Sequence, residues 1–170
     1  MNTQVVISDA GPLIALAKAG ALQLLRSLFG SVSITPVVLA EILPATGSFP
    51  EQNLLKQTLD EGWIHVLNTP VYQHTPLDTG LDPGEASSIL AANALRSQGK
   101  RILLIMDDRA GKLQARRSGL SVMGTAGVVG LAQNRGATPA ARPILEAMVR
   151  GGYFIGKAPI EAVLRSTGEW

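Results

Sequence analysis

Residues 101–108 read Arg-Ile-Leu-Leu-Ile-Met-Asp-Asp, and this stretch decides the fold class. Ile102 to Met106 form an unbroken apolar core, which as a strand must be buried on both faces, as in a parallel sheet. The run ends on two carboxylates, Asp107 and Asp108. Outward from it, β-rich runs alternate with helical ones, the order a parallel sheet with two covered faces requires. Upstream, Asp82-Pro83-Gly84-Glu85 opens a helix through Arg96, with Ile89, Ala92 and Leu95 on one face and Gln98-Gly99 closing it. Downstream, a basic helix to Ser118 leads to a short strand, Ser121 to Met123, and a helix near Ala126 to Asn134.

The amino-terminal half follows the same alternation. Val5-Val6-Ile7 reads as a short buried strand, followed by a helical run through Leu13, Ile14, Leu16 and Ala17 that Gly20 breaks. A second amphipathic piece carries Leu24, Leu25 and Leu28. Ser31 to Thr35 reads as the second strand, and Pro36 suits the first turn of a helix over Val37 to Leu43. A helix near Glu51 to Glu61, a strand from Trp63 to Leu67 and a loop from Asn68 to Leu81 complete this half. Pro139 to Trp170 reads as two helices joined at Gly151-Gly152. Residues 1–136 are thus expected to form the main domain, with 137–170 a helical extension packed on it.

The 170 residues hold 46% apolar and 16% charged side chains and no cysteine, which fits one compact domain and excludes a disulfide scaffold, a thiolate metal site and a cysteine nucleophile. Asp9 falls where the apolar core of a signal peptide would lie. The longest charge-free stretch, Ser118 to Asn134, is broken by four glycines, Thr125 and Gln133, so no membrane span is expected and the cytoplasm is the default location. The net charge of +2 conceals a division: residues 1–85 hold 3 Lys/Arg and 8 Asp/Glu, a net −5, and residues 86–170 hold 12 and 5, a net +7. Seven cations fall between Arg96 and Arg117, either a polyanion-binding surface or ordinary solvated helix faces.

Few acids are present, and their positions carry most of the information. Asp9 and Asp107-Asp108 directly follow apolar strand cores, at the carboxyl ends of parallel strands where ligands of open α/β sheets gather. Glu41 borders the buried stripe of Val38 and Ile42. Each position also has a plainer role. Asp9 and Asp107-Asp108 suit helix caps, Glu41 suits a solvated face, and Asp82 with Glu85 has capping-box spacing. If the four sites converge, each carboxylate pair costs roughly 4 kcal/mol at about 4 Å and an effective dielectric near 20. A divalent cation removes that cost. All-oxygen ligation, with His65 and His74 outside the acidic positions, favours Mg²⁺ or Mn²⁺ over zinc. Such an ion activates water for in-line attack on a phosphodiester.

The order Ile7-Ser8-Asp9-Ala10-Gly11-Pro12, Val38-Leu39-Ala40-Glu41-Ile42, Leu81-Asp82-Pro83-Gly84-Glu85-Ala86, Leu104-Ile105-Met106-Asp107-Asp108-Arg109 and Gly124-Thr125-Ala126-Gly127 resembles PIN-domain proteins. More narrowly, it is similar to a prokaryotic branch related to VapC-type toxin ribonucleases, over about residues 4–135, with a helical tail also typical of that branch. The resemblance implies a three-layer α/β/α fold with a central parallel sheet, here with a carboxy-terminal helical hairpin. It also implies Mg²⁺- or Mn²⁺-dependent endoribonuclease activity. By position it makes Asp9, Glu41 and Glu85 the first three acidic ligands and the Asp107-Asp108 pair the fourth, with Asp108 fitting the family's Thr-x-Asp pattern. Thr125 sits where a supporting hydroxyl is common, and Arg101, Arg109, Lys112 and Arg116 are the candidate RNA contacts. Two hydroxyls of the pattern are lost: Gly11 replaces a Ser, Thr or Asn, and Met106 replaces a Thr.

By analogy the resemblance further implies a toxin of a toxin–antitoxin module, an antitoxin partner and a homodimer, with the helical tail a candidate contact. A second reading is a PIN-like RNA- or protein-binding module whose chemistry has weakened through Gly11 and Met106. A third, a receiver-like phosphotransfer domain, lacks the glycine-rich phosphate loop.

Overall fold

The structure, a computed structural model, describes residues 4–68 and 80–170. The chain runs β1 (Gln4–Ser8), α1 (Ala10–Lys18), α2 (Gln23–Phe29), β2 (Val32–Ile34), α3 (Pro36–Ile42), α4 (Gln52–Glu61) and β3 (Ile64–Val66). It continues α5 (Pro83–Ser97), β4 (Arg101–Ile105), α6 (Arg109–Arg117), β5 (Ser121–Met123), α7 (Thr125–Asn134), α8 (Arg142–Arg150) and α9 (Lys157–Ser166). The expected loop over Asn68 to Leu81 lies mostly outside the described residues.

The five strands form one parallel sheet in the order β3-β2-β1-β4-β5. The Ile102–Ile105 run is the longest buried strand segment, paired along its length with β1 from Val5↔Ile102 to Ser8↔Ile105. Because side chains alternate along a strand, the sheet feeds two apolar layers. Val6, Leu103 and Ile105 pack with α1, α2, α7, α8 and α9, whereas Ile7, Leu104 and Met106 pack with Ile89 and Ala92 of α5 and Ala115 of α6. The result is a three-layer α/β/α sandwich. Leu145 and Met148 of α8 and Val163 and Leu164 of α9 lie buried in the first of these layers.

The second strand is shorter than its β-rich sequence, because Thr35 leaves the ladder to cap α3, its Oγ1 accepting the Val38 N–H at 3.2 Å. β1 pairs with β2 on one side and β4 on the other, so the chain reverses its direction of travel between β1 and β4. That crevice, at the carboxyl ends of the strands, is where an open parallel sheet binds its ligand. Among the described residues, no single helix is long and apolar enough to cross a membrane.

Candidate metal centre

Asp9 follows β1 and stands at the cap position of α1 with extended backbone (φ −73°, ψ 167°), yet its side chain makes no capping bond. Its N–H donates to the Ile105 carbonyl at 3.0 Å, which ties it to the end of β4. The side chain is only 7% exposed, and Oδ1 is buried with no hydrogen-bond partner. A buried carboxylate oxygen without a donor is costly when the group is charged. Burial, followed by the charges of Asp82, Glu41 and Asp107 and despite the Ala10 N–H, pushes the Asp9 carboxyl up to about 7.

Two further carboxylates close over Asp9 from α3 and α5. Oxygens of Asp9, Glu41 and Asp82 all lie within 4.8 Å of one another, with Glu41 and Asp82 on the exposed side. The Thr35 and Ser87 hydroxyls share a buried 2.7 Å hydrogen bond that joins the start of α3 to α5 and so sets Glu41 beside Asp82. Gly84 allows the approach: a Cβ there would lie 2.5 Å from Glu41 Oε1. Burial and the Asp82 charge raise the Glu41 carboxyl above its ordinary range, and the Gly84 N–H partly offsets them.

Glu85 is one turn into α5 and only 7% exposed. It and Asp82 form a capping box: Asp82 Oδ1 accepts the Glu85 N–H at 2.8 Å, and Glu85 Oε2 accepts the Asp82 N–H at 3.3 Å. Burial, then the charges of Asp82, Asp108 and Asp9, pushes Glu85 up to about 8.

The two acids after β4 divide their work. Asp108 caps α6, its Oδ2 accepting the Gly111 N–H at 2.8 Å. Asp107 is clamped instead: Thr125 donates to it through its backbone N–H (2.7 Å, Oδ1) and its hydroxyl (2.5 Å, Oδ2), and the Tyr153 hydroxyl donates to Oδ2 as well. Burial and Asp107 hold the Tyr153 phenol above its ordinary range, so it stays a donor. Lys112 flanks the clamp, since a Cβ on Gly124 would meet Lys112 Nζ at 2.9 Å and Asp107 Oδ1 at 3.0 Å.

A PIN-domain family model matches residues 5–169, from the first strand through the last helix. The chain belongs to the PIN-domain family. No curated protein and no solved structure matches it significantly.

PIN domains are typically metal-dependent nucleases. The fit of a divalent cation to this PIN domain rests on its own atoms: an all-oxygen donor set, mutual distances within 4.8 Å, and a buried Asp9 oxygen that lacks any donor. Of the residues singled out from sequence, Asp9 and Glu41 are brought together, Glu85 and Asp107 lie within electrostatic reach of Asp9, and Asp108 lies within reach of Glu85. Arg109, Lys112 and Arg116 share α6, and among the described residues none of them is in an ion pair. Arg101 starts β4, at the opposite end of the strand from Asp107 and about 20 Å away along an extended chain. Sequence reading missed two members. Asp82 was legible only as a cap, although a cap uses one oxygen and leaves a second. Tyr153 carried no local signal, because its partner is 46 residues away.

Proposed function

We propose that this PIN domain is a Mg²⁺- or Mn²⁺-dependent endoribonuclease. The observation that carries the reading is the buried, unpartnered Asp9 oxygen beneath the exposed carboxylates of Glu41 and Asp82. Asp9, Glu41 and Asp82 would hold the cation, with Glu85 and the Asp107-Asp108 pair completing the negative site. The bound ion supplies an activated water and a counter-charge for the departing oxygen of a phosphodiester.

The rest falls to the chain itself. The deep placement of Asp9 excludes water from one side of the cluster and strengthens its electrostatics. Thr125 and Tyr153 hold Asp107 in one orientation. Lys112, beside Asp107, and Arg109 and Arg116 on the same helix carry positive charge away from the acidic centre, where flanking RNA phosphates would dock. Arg101 would reach only a longer RNA that runs past the sheet.

A ribonuclease needs restraint in a cell, and we extend the proposal to the toxin of a toxin–antitoxin module working in the cytoplasm. The α8–α9 hairpin is the surface this reading assigns to the antitoxin or to the second copy of a homodimer, through the groove lined by Leu145, Val149, Ile160 and Leu164. The test is cleavage of single-stranded RNA in Mn²⁺. Metal-dependent products that disappear in Asp9→Asn are expected, and undiminished cleavage by that variant would overturn the assignment. Salt-dependent RNA binding without products would favour the weakened binding module.

A further inference from the structure

The helical hairpin does more than cover the sheet. The α8 helix ends in a paired-bond turn: the Gly152 N–H donates to the Val149 carbonyl at 3.0 Å and the Tyr153 N–H to the Met148 carbonyl at 3.1 Å. Gly152 adopts φ +88°, the left-handed conformation such a C-terminal motif needs, which glycine accepts without strain. This turn aims Tyr153 back toward the ends of β1 and β4. There its hydroxyl bonds Asp107 Oδ2, and its ring packs against the apolar layer that contains α1.

The same hydroxyl occupies a second, telling position. A Cβ on Gly11 would lie 2.8 Å from the Tyr153 oxygen, while the ring carbons would be at an ordinary 3.6 and 3.7 Å. Position 11 therefore has no side chain because the tyrosine hydroxyl stands in its space. Met106, the other hydroxyl missing from the resemblance, has no such replacement; it is buried with Sδ 2.6 Å from where a Gly111 Cβ would be. The two departures differ in kind: one is a packing residue, the other an exchange.

We propose that Tyr153 is a positioning residue of the acidic centre, supplying from the carboxy-terminal hairpin the hydroxyl that position 11 lacks and, with Thr125, fixing the Asp107 carboxylate. This rests on the metal-dependent reading above. Three donors hold the two Asp107 oxygens, one on Oδ1 and two on Oδ2, and the Asp107 charge acts on Asp9. Loss of the third donor leaves Asp107 held by Thr125 alone and loosens its Oδ2 without emptying the core, since the aromatic ring remains.

The experiment is a two-residue cycle read by Mn²⁺ calorimetry and by kcat and KM on single-stranded RNA. Tyr153→Phe is expected to weaken Mn²⁺ about tenfold, the lower end of the range for removing a group that supports a metal site, and to lower kcat with little change in KM. Gly11→Ser alone forces its Cβ against the tyrosine oxygen and is expected to lose a similar factor. The double variant has room for the serine and regains its hydroxyl, so it should recover to within a few-fold of the parent. A purely structural role predicts the reverse, with the two losses adding. Mn²⁺ binding by Tyr153→Phe equal to the parent's, or a double variant worse than either single one, overturns the proposal alone. No Mn²⁺ binding by the parent overturns both it and the metal-dependent reading.

Discussion

The carboxyl ends of β1 and β4 look alike in sequence and behave differently in the fold. Each apolar strand runs into an acid at the cap position of the next helix, Asp9 before α1 and Asp108 before α6. Asp108 is exposed and satisfies the helix, accepting the Gly111 N–H. Asp9 is buried and its side chain makes no capping bond, its Oδ1 without a partner and its carboxyl pushed up to about 7. A cation or a proton would relieve such a group, and strongly perturbed carboxyls of this kind cluster at ligand sites. The difference separates an acid that caps its helix from one that joins a carboxylate cluster able to hold a cation.

Substitutions at the two ends should therefore have opposite profiles. The largest effect is expected from Asp9→Asn: loss of Mn²⁺-dependent cleavage, yet a metal-free protein at pH 8 that melts a few degrees higher, because a buried charge is gone. A variant that loses both cleavage and stability would place Asp9 among the structural acids. Gly84→Ala comes next. Its Cβ would displace the Glu41 carboxylate while alanine favours the helix, so Mn²⁺ affinity should fall about 10–100-fold in a fully folded protein, measured by calorimetry beside circular dichroism.

The pH dependence of the metal-free protein sharpens the same contrast. Asp9 and Glu85 have folded pKa values near 7 and 8, raised above the ordinary carboxylate range near 4. Between those limits the folded state binds more protons than the unfolded one, so stability is greatest at low pH and falls as pH rises from about 4 through 8. Denaturant melts at pH 5 and 8 should show the drop, and saturating Mn²⁺ should flatten it. The smallest effect is expected at the other strand end. Asp108→Ala should cost about 1 kcal/mol of stability through the lost cap, and Asp108→Asn, which still caps, should be nearly neutral in chemical denaturation.

How much of this was legible in the sequence follows from the range of each interaction. Strands and helices were, because an apolar run such as Ile102 to Met106 and a cap such as Asp82 with Glu85 declare themselves within a few residues. The acids at the strand ends were legible for the same reason. What stayed hidden was which capping acid also faces the crevice. Asp82 completes a capping box and still joins Asp9 and Glu41, because α3 and α5 meet through the Thr35–Ser87 bond, a contact across 52 residues. The gap at Gly11 looked like a loss, since only the fold shows the Tyr153 hydroxyl standing in it. The split of a −5 and a +7 half also changes meaning, because the cations of α6 follow directly on the Asp107-Asp108 pair, whose charges act on Asp9 and Glu85 of the other half.

The most direct test of the account is Mn²⁺ binding at pH 8 by the parent and by Asp9→Asn, followed as the shift in melting temperature. The parent should rise by about 5–10 °C at a concentration a hundredfold above its Kd, and Asp9→Asn should not respond. A parent that does not shift, or an Asp9→Asn variant that shifts equally, would contradict the claim that the buried carboxylate exists to hold a cation.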